Sequence, residues 1–435
     1  MTGLIMAAQL ILGLSILVLL HEFGHFIMAR AFGIKVEKFY LFFDAWGFKL
    51  FKFTYKGTEY GMGWLPLGGY VKIAGMIDES SDKEQMKLPQ QPWEFRAKPA
   101  WQRLFVMLGG VTVNLILGVI LFAMVILVFE KEYVPNSAIE SISPYELGEK
   151  AGFKEGDKIL EINGKKVIRF KDAISIAVIF GADVTVERAG QKQIIQIDEN
   201  FYDDFKASKQ KNLFEPSLGQ IIIDSIIPNS AAAKAGIAKG DKIVSLNEQE
   251  ILSFPQFAKE LEPLKNSEIT LTLIRTQDTL VKNIQIDSTG VGFARLIPEL
   301  PTENYSLSQA VYYGWKDAME MLKLNITGIG KIFKGKEKAT DSLQGPIGIA
   351  KIYGGVWDWH KFWYITGLLS LILAFMNILP IPALDGGHVL FLLIEVITGR
   401  KLSDKFMENV QYIGMLILMA LMIFVIGNDI FRLFK

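Results

Sequence analysis

The sequence of 435 residues contains no cysteine. This absence excludes disulfide bonds, thiolate metal sites, iron–sulfur clusters and a cysteine nucleophile. Histidine is also scarce, with four residues in the whole chain. Charge of one sign is not in excess, because 46 basic side chains balance 46 acidic ones. The balance gives no reason to expect a nucleic acid as partner.

Half of the residues are apolar, and many of them lie in four windows that carry no charged side chain. The windows cover residues 4–20, 104–129, 362–384 and 412–427. A membrane-spanning helix needs roughly 17–25 predominantly apolar residues. The first three windows have this length, and the fourth reaches it when Val410 and Gln411 are included. The sequence therefore predicts a polytopic α-helical membrane protein with four transmembrane helices.

The basic residues predict how these helices are oriented. Cytoplasmic loops of membrane proteins are enriched in Lys and Arg, and the loops over residues 31–100 and after residue 399 are basic. Both loops are therefore expected in the cytoplasm, and residues 130–361 are expected outside it. The first window lacks the preceding basic residues and the small-residue cleavage site that are typical of a signal peptide, so we expect it to form a spanning helix.

An internal repeat lies in the part expected outside the cytoplasm. Residues 150–163 and 234–247 share the pattern K-A-G-x-x-x-G-D-K-I at an offset of 84 residues. In each copy a tight Gly-Asp turn precedes an alternating, half-buried strand. A period this long indicates two copies of a small domain and not a solenoid. The pattern resembles circularly permuted bacterial PDZ domains, which predicts PDZ-like α+β domains at residues 130–211 and 212–298.

The repeat allows two interpretations. A PDZ domain can hold a peptide carboxylate on the backbone N–H groups of one loop while the peptide adds a strand to the sheet. The second copy has a candidate for this loop at residues 218–221, and the first copy shows no counterpart near Val134. The alternative is that the two domains act as a spacer or as a steric filter.

Two of the four histidines, His21 and His25, belong to the string H-E-F-G-H near the cytoplasmic end of the first window. Positions i and i+4 lie on one face of a helix, so both imidazoles can reach one metal ion. Glu22 lies beside them, where its carboxylate could take a proton from metal-bound water. Ionisable residues at membrane depth are costly and usually functional. The pattern favours a metal-dependent hydrolase over an accidental pair of helix histidines.

A third ligand must be His, Asp or Glu, because the chain has no cysteine and zinc in hydrolases usually takes three protein ligands plus water. The third window ends in N-I-L-P-I-P-A-L-D-G-G at residues 377–387, where two prolines break the helix. Such a break at membrane depth is tolerated where the freed backbone lines a protein cavity. Asp385 follows the break and is the first candidate, and His388 is the alternative.

The strings H-E-F-G-H and N-x-x-P-x-P-x-L-D-G-G together resemble the site-2 proteases, a family of intramembrane zinc metalloproteases. The resemblance extends over nearly the whole chain. It includes P-L-G-G-Y-V-K at residues 66–72 and G-P-I-G-I-A-K at residues 345–351.

The resemblance implies roles for individual residues. His21, His25 and Asp385 would bind Zn²⁺, Glu22 would be the general base, and Asn377 would contact the scissile peptide near the metal. Implied substrates are single-pass membrane proteins, such as anti-sigma factors already trimmed on the outer side, and remnant signal peptides. The resemblance also implies a bacterial cytoplasmic (inner) membrane location, with periplasmic PDZ-like domains and an active site toward the cytoplasmic side.

The first predicted domain, residues 1–129, contains a cytoplasmic loop that resembles the membrane re-entrant β segment of the family. Strand-like patterns at residues 48–53 and 59–72 flank the turn Y-K-G-T at residues 55–58, which is typical of a hairpin. An edge strand here could hold an extended substrate; a simple hairpin at the membrane surface is the alternative. The family's usual G-x-G after V-x-x-F is replaced by F-F-D at residues 42–44.

The remaining domains are a connector at residues 299–361 and a last part at residues 362–435 with the third and fourth helices. Residues 306–333 have apolar side chains at helical spacing with charges between them. This pattern predicts an amphipathic helix. It could lie on the outer membrane surface or pack under the second PDZ-like copy.

Two functions fit the sequence. The first is a zinc metalloendopeptidase that hydrolyses peptide bonds inside the membrane, with the PDZ pair as a filter for substrate size. The second is a membrane-anchored PDZ receptor that binds peptides without proteolysis. Glu22 favours the protease, because a site that only binds or transports a metal has no need of a base.

Overall fold

The computed structural model describes residues 2–76, 89–208, 212–218, 221–287, 290–297, 299–335 and 337–433. The chain forms two compact units. The first combines Met1–Glu130 with Ser306–Lys435, and the second is Lys131–Tyr305. In sequence, the second unit is an insertion between the two halves of the first.

The first unit begins with a long helix, a small sheet and a second long helix. Their bounds are α1 (Thr2–Ala31), β1 (Val36–Phe43), β2 (Lys49–Tyr55), β3 (Thr58–Gly63), β4 (Leu65–Ile73) and α2 (Ala100–Val125), which a π-helical turn extends to Glu130. Both helices are rich in Leu, Ile and Val and have no internal proline. A helix satisfies all its interior backbone hydrogen bonds within itself, as an apolar surrounding requires.

α1 and α2 cross at a pair of glycines. A Cβ atom on Gly24 would lie 2.3 Å from the carbonyl oxygen of Gly109, and one on Gly109 would lie 2.5 Å from that of Gly24. Only residues without a side chain allow two helix backbones to approach this closely. The crossing places residues 21–25 against the middle of α2.

The four strands form one sheet in the order β2-β3-β1-β4, so β2 and β4 are its edges. β2 and β3 are antiparallel and joined by a two-residue turn, Lys56–Gly57, with positive φ at both residues. The hairpin predicted at residues 55–58 is therefore confirmed. The strand-like pattern over residues 59–72 corresponds to two strands, because the chain breaks at Trp64 and β4 pairs with the other side of β1.

The end of β1 is irregular, at the point where F-F-D replaces the family's G-x-G. Phe42 has a φ of +65°, a left-handed conformation that is unusual for a bulky residue. The β1–β4 register shifts between Leu41 and Phe43. A Cβ atom on Gly63 would lie 2.2 Å from the Phe43 carbonyl carbon. This close approach explains why the chain leaves β3 at this point.

The second unit consists of sheets and short helices. In chain order these are β5 (Glu132–Tyr133), β6 (Ile142–Pro144), α3 (Glu146–Lys150), β7 (Lys158–Ile162), β8 (Lys165–Lys166), α4 (Phe170–Ala173), α5 (Ile176–Ile179), β9 (Ala182–Arg188), β10 (Gln191–Ile197), α6 (Phe201–Ala207), β11 (Phe214–Pro216), β12 (Ile221–Ile226), α7 (Ala231–Lys234), β13 (Lys242–Leu246), β14 (Gln249–Glu250), α8 (Phe254–Leu261), β15 (Glu268–Arg275), β16 (Asp278–Gln285), β17 (Phe293–Arg295) and β18 (Glu303–Asn304). One sheet has the order β10-β9-β7-β8 and another β16-β15-β13-β12-β17, with β14 paired to β13. β11 pairs with β6, and β18 with β5.

The second unit makes the same set of contacts twice. Asp157 and Asp241 are fully buried, and each accepts a hydrogen bond from the backbone N–H three residues earlier. Arg188 pairs with Asp157 at 2.6 Å, and Arg275 pairs with Asp241 at 2.7 Å. The hydrogen bonds from Arg275 hold the pKa of Asp241 below its usual value. The two aspartates are the ones in the repeated G-D pairs of the sequence.

The second unit has two hydrophobic clusters, one from Ile139 to Phe214 and one from Ile221 to Val291. β11 belongs to the first, since it pairs with β6 and buries Phe214 there. The loop that the sequence suggested for carboxylate binding, residues 218–221, includes Gly219 and Gln220, which lie outside the described residues.

The chain then returns to the first unit. Its helices there are α9 (Leu307–Phe333), α10 (Ala339–Ser342), α11 (Pro346–Tyr353), α12 (Trp359–Ile378), α13 (Asp385–Thr398) and α14 (Asp404–Leu433). Among the described residues, α1, α2, α12 and α14 are long and apolar enough to cross a membrane. The four predicted windows are thus confirmed as helices, although α12 ends at Ile378, six residues before the third window ends at Leu384.

α9 confirms the predicted amphipathic helix but packs in a way that the sequence did not predict. It begins with a capping box between Ser306 and Gln309. It packs against α2 and α12, burying Ala310 and Ala318, and a Cβ atom on Gly314 would lie 2.6 Å from the backbone of Ala123. Small residues on this face allow the close contact with the spanning helices.

Candidate metal centre

Three side chains that can ligate a metal come together in the first unit. His21, His25 and Asp385 offer ligand atoms that all lie within 4.8 Å of one another. The two Nε2 atoms are 3.2 Å apart, and they lie 3.1 Å and 3.3 Å from Oδ2 of Asp385. That oxygen is buried and makes no hydrogen bond. Nitrogen or oxygen ligands of one tetrahedral zinc ion lie about 3.3 Å apart, so the three atoms fit such an ion.

The histidine side chains are placed by α1. Its periodicity puts His21 and His25 one turn apart on one face, with ring centroids 4.8 Å apart and planes at 82°. His25 is buried, and its Nδ1 lies 2.9 Å from the carbonyl oxygen of Val106 on α2. An Nδ1–H donated to this carbonyl leaves the lone pair of Nε2 toward the cluster, as a metal ligand requires.

Gly110 of α2 makes room for both imidazoles. A Cβ atom at this position would lie 2.5 Å from Nε2 of His25 and 2.6 Å from Cε1 of His21. Even an alanine would therefore displace the rings. The glycine run in α2 thus sets both the spacing of the two helices and the space for the cluster.

Asp385 is brought to the histidines by the break after α12. The turn between α12 and α13 holds Ala383 at a φ of +71°. A Cβ atom on Gly386 would lie 2.0 Å from the carbonyl oxygen of Leu379, so the glycine after the aspartate is required for the turn to close. The helix break predicted from the prolines is confirmed, and α13, which starts at Asp385, was not predicted.

His388, the alternative third ligand, lies one turn further along α13. Its Nε2 is 2.5 Å from the side-chain amide of Gln411 on α14. Within the described residues it is not among the three groups whose ligand atoms converge. The structure brings Asp385, and not His388, to the two histidines of α1.

Glu22 is half-buried beside this cluster and faces the sheet. A Cβ atom on Gly69 of β4 would lie 3.6 Å from Cγ of Glu22 and 2.9 Å from Val18. β4 therefore runs along α1 next to the glutamate. Because β4 is an edge strand, it is an edge of the sheet that lies beside Glu22.

Two asparagines contact His21. Nδ2 of Asn377, in the last turn of α12, lies 3.3 Å from Nε2. Nδ2 of Asn114, in α2, lies 3.2 Å from Nδ1. Asn377 was expected near the metal, whereas Asn114 was not assigned a role from the sequence. The signal for Asn114 was a polar residue within an otherwise apolar spanning helix.

Comparison with known proteins agrees with this geometry. The chain matches the model of Peptidase family M50 over residues 9–421. It is 30% identical to protease RseP of Yersinia pestis, over 98% of each chain. It is 29% identical, again over 98% of each chain, to the regulator of sigma-E protease RseP of Salmonella typhimurium and to that of Escherichia coli strain K12.

The chain therefore belongs to peptidase family M50, the site-2 proteases. It is a zinc metalloprotease of the site-2 type, and the resemblance found in the sequence motifs is confirmed.

Proposed function

We propose that this protein cleaves transmembrane segments of single-pass membrane proteins at a zinc ion held by His21, His25 and Asp385. The observation that carries the proposal is the convergence of the three ligand atoms, 3.1–3.3 Å apart, with both histidines on α1, a helix long and apolar enough to cross a membrane. Zinc supplies Lewis acidity there, lowering the pKa of water and polarising the scissile carbonyl.

Glu22 is the general base in this proposal. Its carboxylate takes the proton of the attacking water and then delivers it to the leaving amine nitrogen. The position directly after His21 on α1 keeps the carboxylate beside the metal ligands but outside their set of converging atoms. The side-chain amide of Asn377 lies next to Nε2 of His21, the proposed ligand atom. Its N–H can therefore donate a hydrogen bond to the carbonyl oxygen of the substrate.

β4 is the proposed platform for the substrate. A peptide bond in a helix is shielded by its own hydrogen bonds, so the substrate must be extended before cleavage. An edge strand offers backbone N–H and C=O groups to an added strand, and β4 runs next to Glu22. β2, the opposite edge, exposes Leu50, Phe51 and Phe53, which supports insertion of this sheet into the membrane as a re-entrant element.

The protein is proposed to lie in a bacterial cytoplasmic membrane with its active site toward the cytoplasm. This orientation rests on the basic loops over residues 31–100 and after residue 399, because cytoplasmic loops are enriched in Lys and Arg. The chain has no cysteine, so single cysteines can be introduced at Lys192 and Lys401, both exposed. An impermeant thiol reagent is expected to label the cysteine at position 401 only from the cytoplasmic side and that at position 192 only from outside. The opposite labelling would overturn the orientation.

The proposed substrates are anti-sigma factors that another protease has trimmed on the outer side, and remnant signal peptides. Two relatives are named regulator of sigma-E protease, which supports a role in sigma-E regulation. The non-proteolytic PDZ receptor lacks such support, since the chain belongs to a peptidase family.

A direct assay tests the proposed function. The full chain in detergent is mixed with a tagged single-pass substrate that has a short outer stub. Cleavage is expected to stop with a zinc chelator and to return when zinc is restored. Cleavage that continues at the same rate with the metal removed would contradict the proposal.

The second unit is proposed to be two PDZ-like domains that exclude substrates with large outer domains. Residues 130–300 contain no histidine, and the converging ligand set lies entirely in the first unit. A unit that contributes no group to the metal centre can still affect cleavage by controlling which substrates reach that centre.

Deletion of residues 137–297 is expected to abolish this filter. β5 and β18 pair at the two ends of the second unit, with Tyr133 opposite Glu303, and the deletion leaves both of these strands in the chain. Zinc content should stay unchanged, and substrates with a large folded outer domain should now be cleaved as fast as short ones. A deletion protein that still rejects the large substrate would disprove the filter. One that is zinc-loaded but cleaves neither substrate would assign recruitment to the second unit instead.

A further inference from the structure

Asn114 is a buried amide that faces His21 from the side opposite the metal-ligating nitrogen. It is 1% exposed and lies on α2. Its amide nitrogen is 3.2 Å from Nδ1 of His21, while Nε2 of the same ring lies 3.1 Å from Oδ2 of Asp385. The two ring nitrogens of His21 thus have different partners on opposite sides.

Zinc binding decides which ring nitrogen carries the hydrogen. A neutral imidazole has one N–H, so Nε2 offers its lone pair to a metal only when the hydrogen is on Nδ1. That N–H then needs an acceptor, and an amide nitrogen cannot accept. The oxygen of Asn114 is buried and makes no hydrogen bond. A half-turn of the amide exchanges its oxygen and nitrogen positions.

We propose that Asn114 is a positioning residue that sets the tautomer of His21. In the zinc-loaded protein, Oδ1 of Asn114 accepts a hydrogen bond from Nδ1–H of His21 and so holds the ring with Nε2 toward the metal. The inference rests on the proposed role of His21 as a ligand.

The surroundings of Asn114 support this role. α2 already provides a hydrogen-bond acceptor for His25, because the carbonyl oxygen of Val106 faces the Nδ1 of that ring. The backbone of Asn114 is fixed by Ser370 of α12, whose hydroxyl donates to the Asn114 carbonyl at 2.7 Å. One helix thus faces the Nδ1 of each histidine, with a backbone carbonyl oxygen at His25 and a side-chain amide at His21. Hydrogen bonds of this kind orient metal-bound histidines and raise their basicity.

Two variants with opposite expectations test the proposal. Asn114→Leu keeps a similar volume without an acceptor, and Asn114→Asp supplies a stronger acceptor. In the full chain in detergent, competition with a chelator should show zinc affinity about 10–100-fold lower for Asn114→Leu. Asn114→Asp should bind zinc at least as tightly as the unchanged protein. If Asn114 only fills space, the order is reversed, since a leucine suits the apolar site and a buried carboxylate does not.

Controls separate this proposal from the ligand assignment. Thr112→Leu changes the other polar residue of α2's apolar stretch, which is exposed, and is expected to leave zinc affinity unchanged. His21→Ala should lose zinc. If His21→Ala loses zinc while Asn114→Leu binds it normally, the role of Asn114 is wrong and the ligand assignment stands. If His21→Ala keeps zinc, the ligand assignment itself fails.

Discussion

Replacing Glu22 by glutamine is expected to stop proteolysis while zinc stays bound. The amide has the size of the carboxylate but cannot take a proton from water. General base catalysis contributes about 10²–10⁴-fold to rate, so kcat/KM should fall by at least about 10²-fold. The measurement is the initial rate of cleavage of a short single-pass substrate, together with zinc content by elemental analysis.

The matched control is Glu408→Gln, which changes an exposed glutamate of α14. It removes the same charge from the first unit and is expected to leave cleavage unchanged. Normal cleavage by Glu22→Gln would show that another group moves the proton. Loss of zinc in Glu22→Gln would place the glutamate among the metal ligands.

Replacing Asp385 is expected to empty the metal site. Its Oδ2 lies 3.1 Å and 3.3 Å from the two Nε2 atoms, and two imidazoles alone leave zinc short of the three protein ligands that are usual in hydrolases. Asp385→Asn keeps the shape but removes the negative charge. Zinc affinity should fall by more than about 100-fold, beyond the 10–100-fold typical of residues that only orient a ligand.

His388→Ala is the comparison, because it removes the alternative ligand from the same helix. The His388 ring contacts Gln411, and among the described residues His388 is not part of the group whose ligand atoms converge. Zinc content should therefore equal that of the unchanged protein. Zinc retained in Asp385→Asn and lost in His388→Ala would make His388 the third ligand.

The features that the sequence predicted well are local or compositional. Long uncharged windows produced the spanning helices, since length and hydropathy decide that structure. The i, i+4 spacing placed His21 and His25 on one face, and the two prolines ended α12 close to Asp385. In each case the information lies within a few residues of the feature itself.

The features that the sequence did not predict depend on contacts between distant segments. The pairing of β4 on the far side of β1 depends on how closely Gly63 approaches Phe43. The contact of Asn114 with His21 spans 93 residues and exists because α1 and α2 cross at glycines. The periodicity of a single helix cannot predict which residues of another helix will contact it.

The order in which the centre is assembled follows from how its parts are distributed along the chain. His21 and Asn377 are 356 residues apart in sequence, and the whole second unit is synthesised between them. Under the proposed assignment, a growing chain already has both histidines and Glu22 in its first helix but lacks the last ligand. It cannot form the complete site before Asp385 has left the ribosome and entered the membrane. Under the same assignment, proteolytic activity is therefore tied to nearly complete synthesis of the chain.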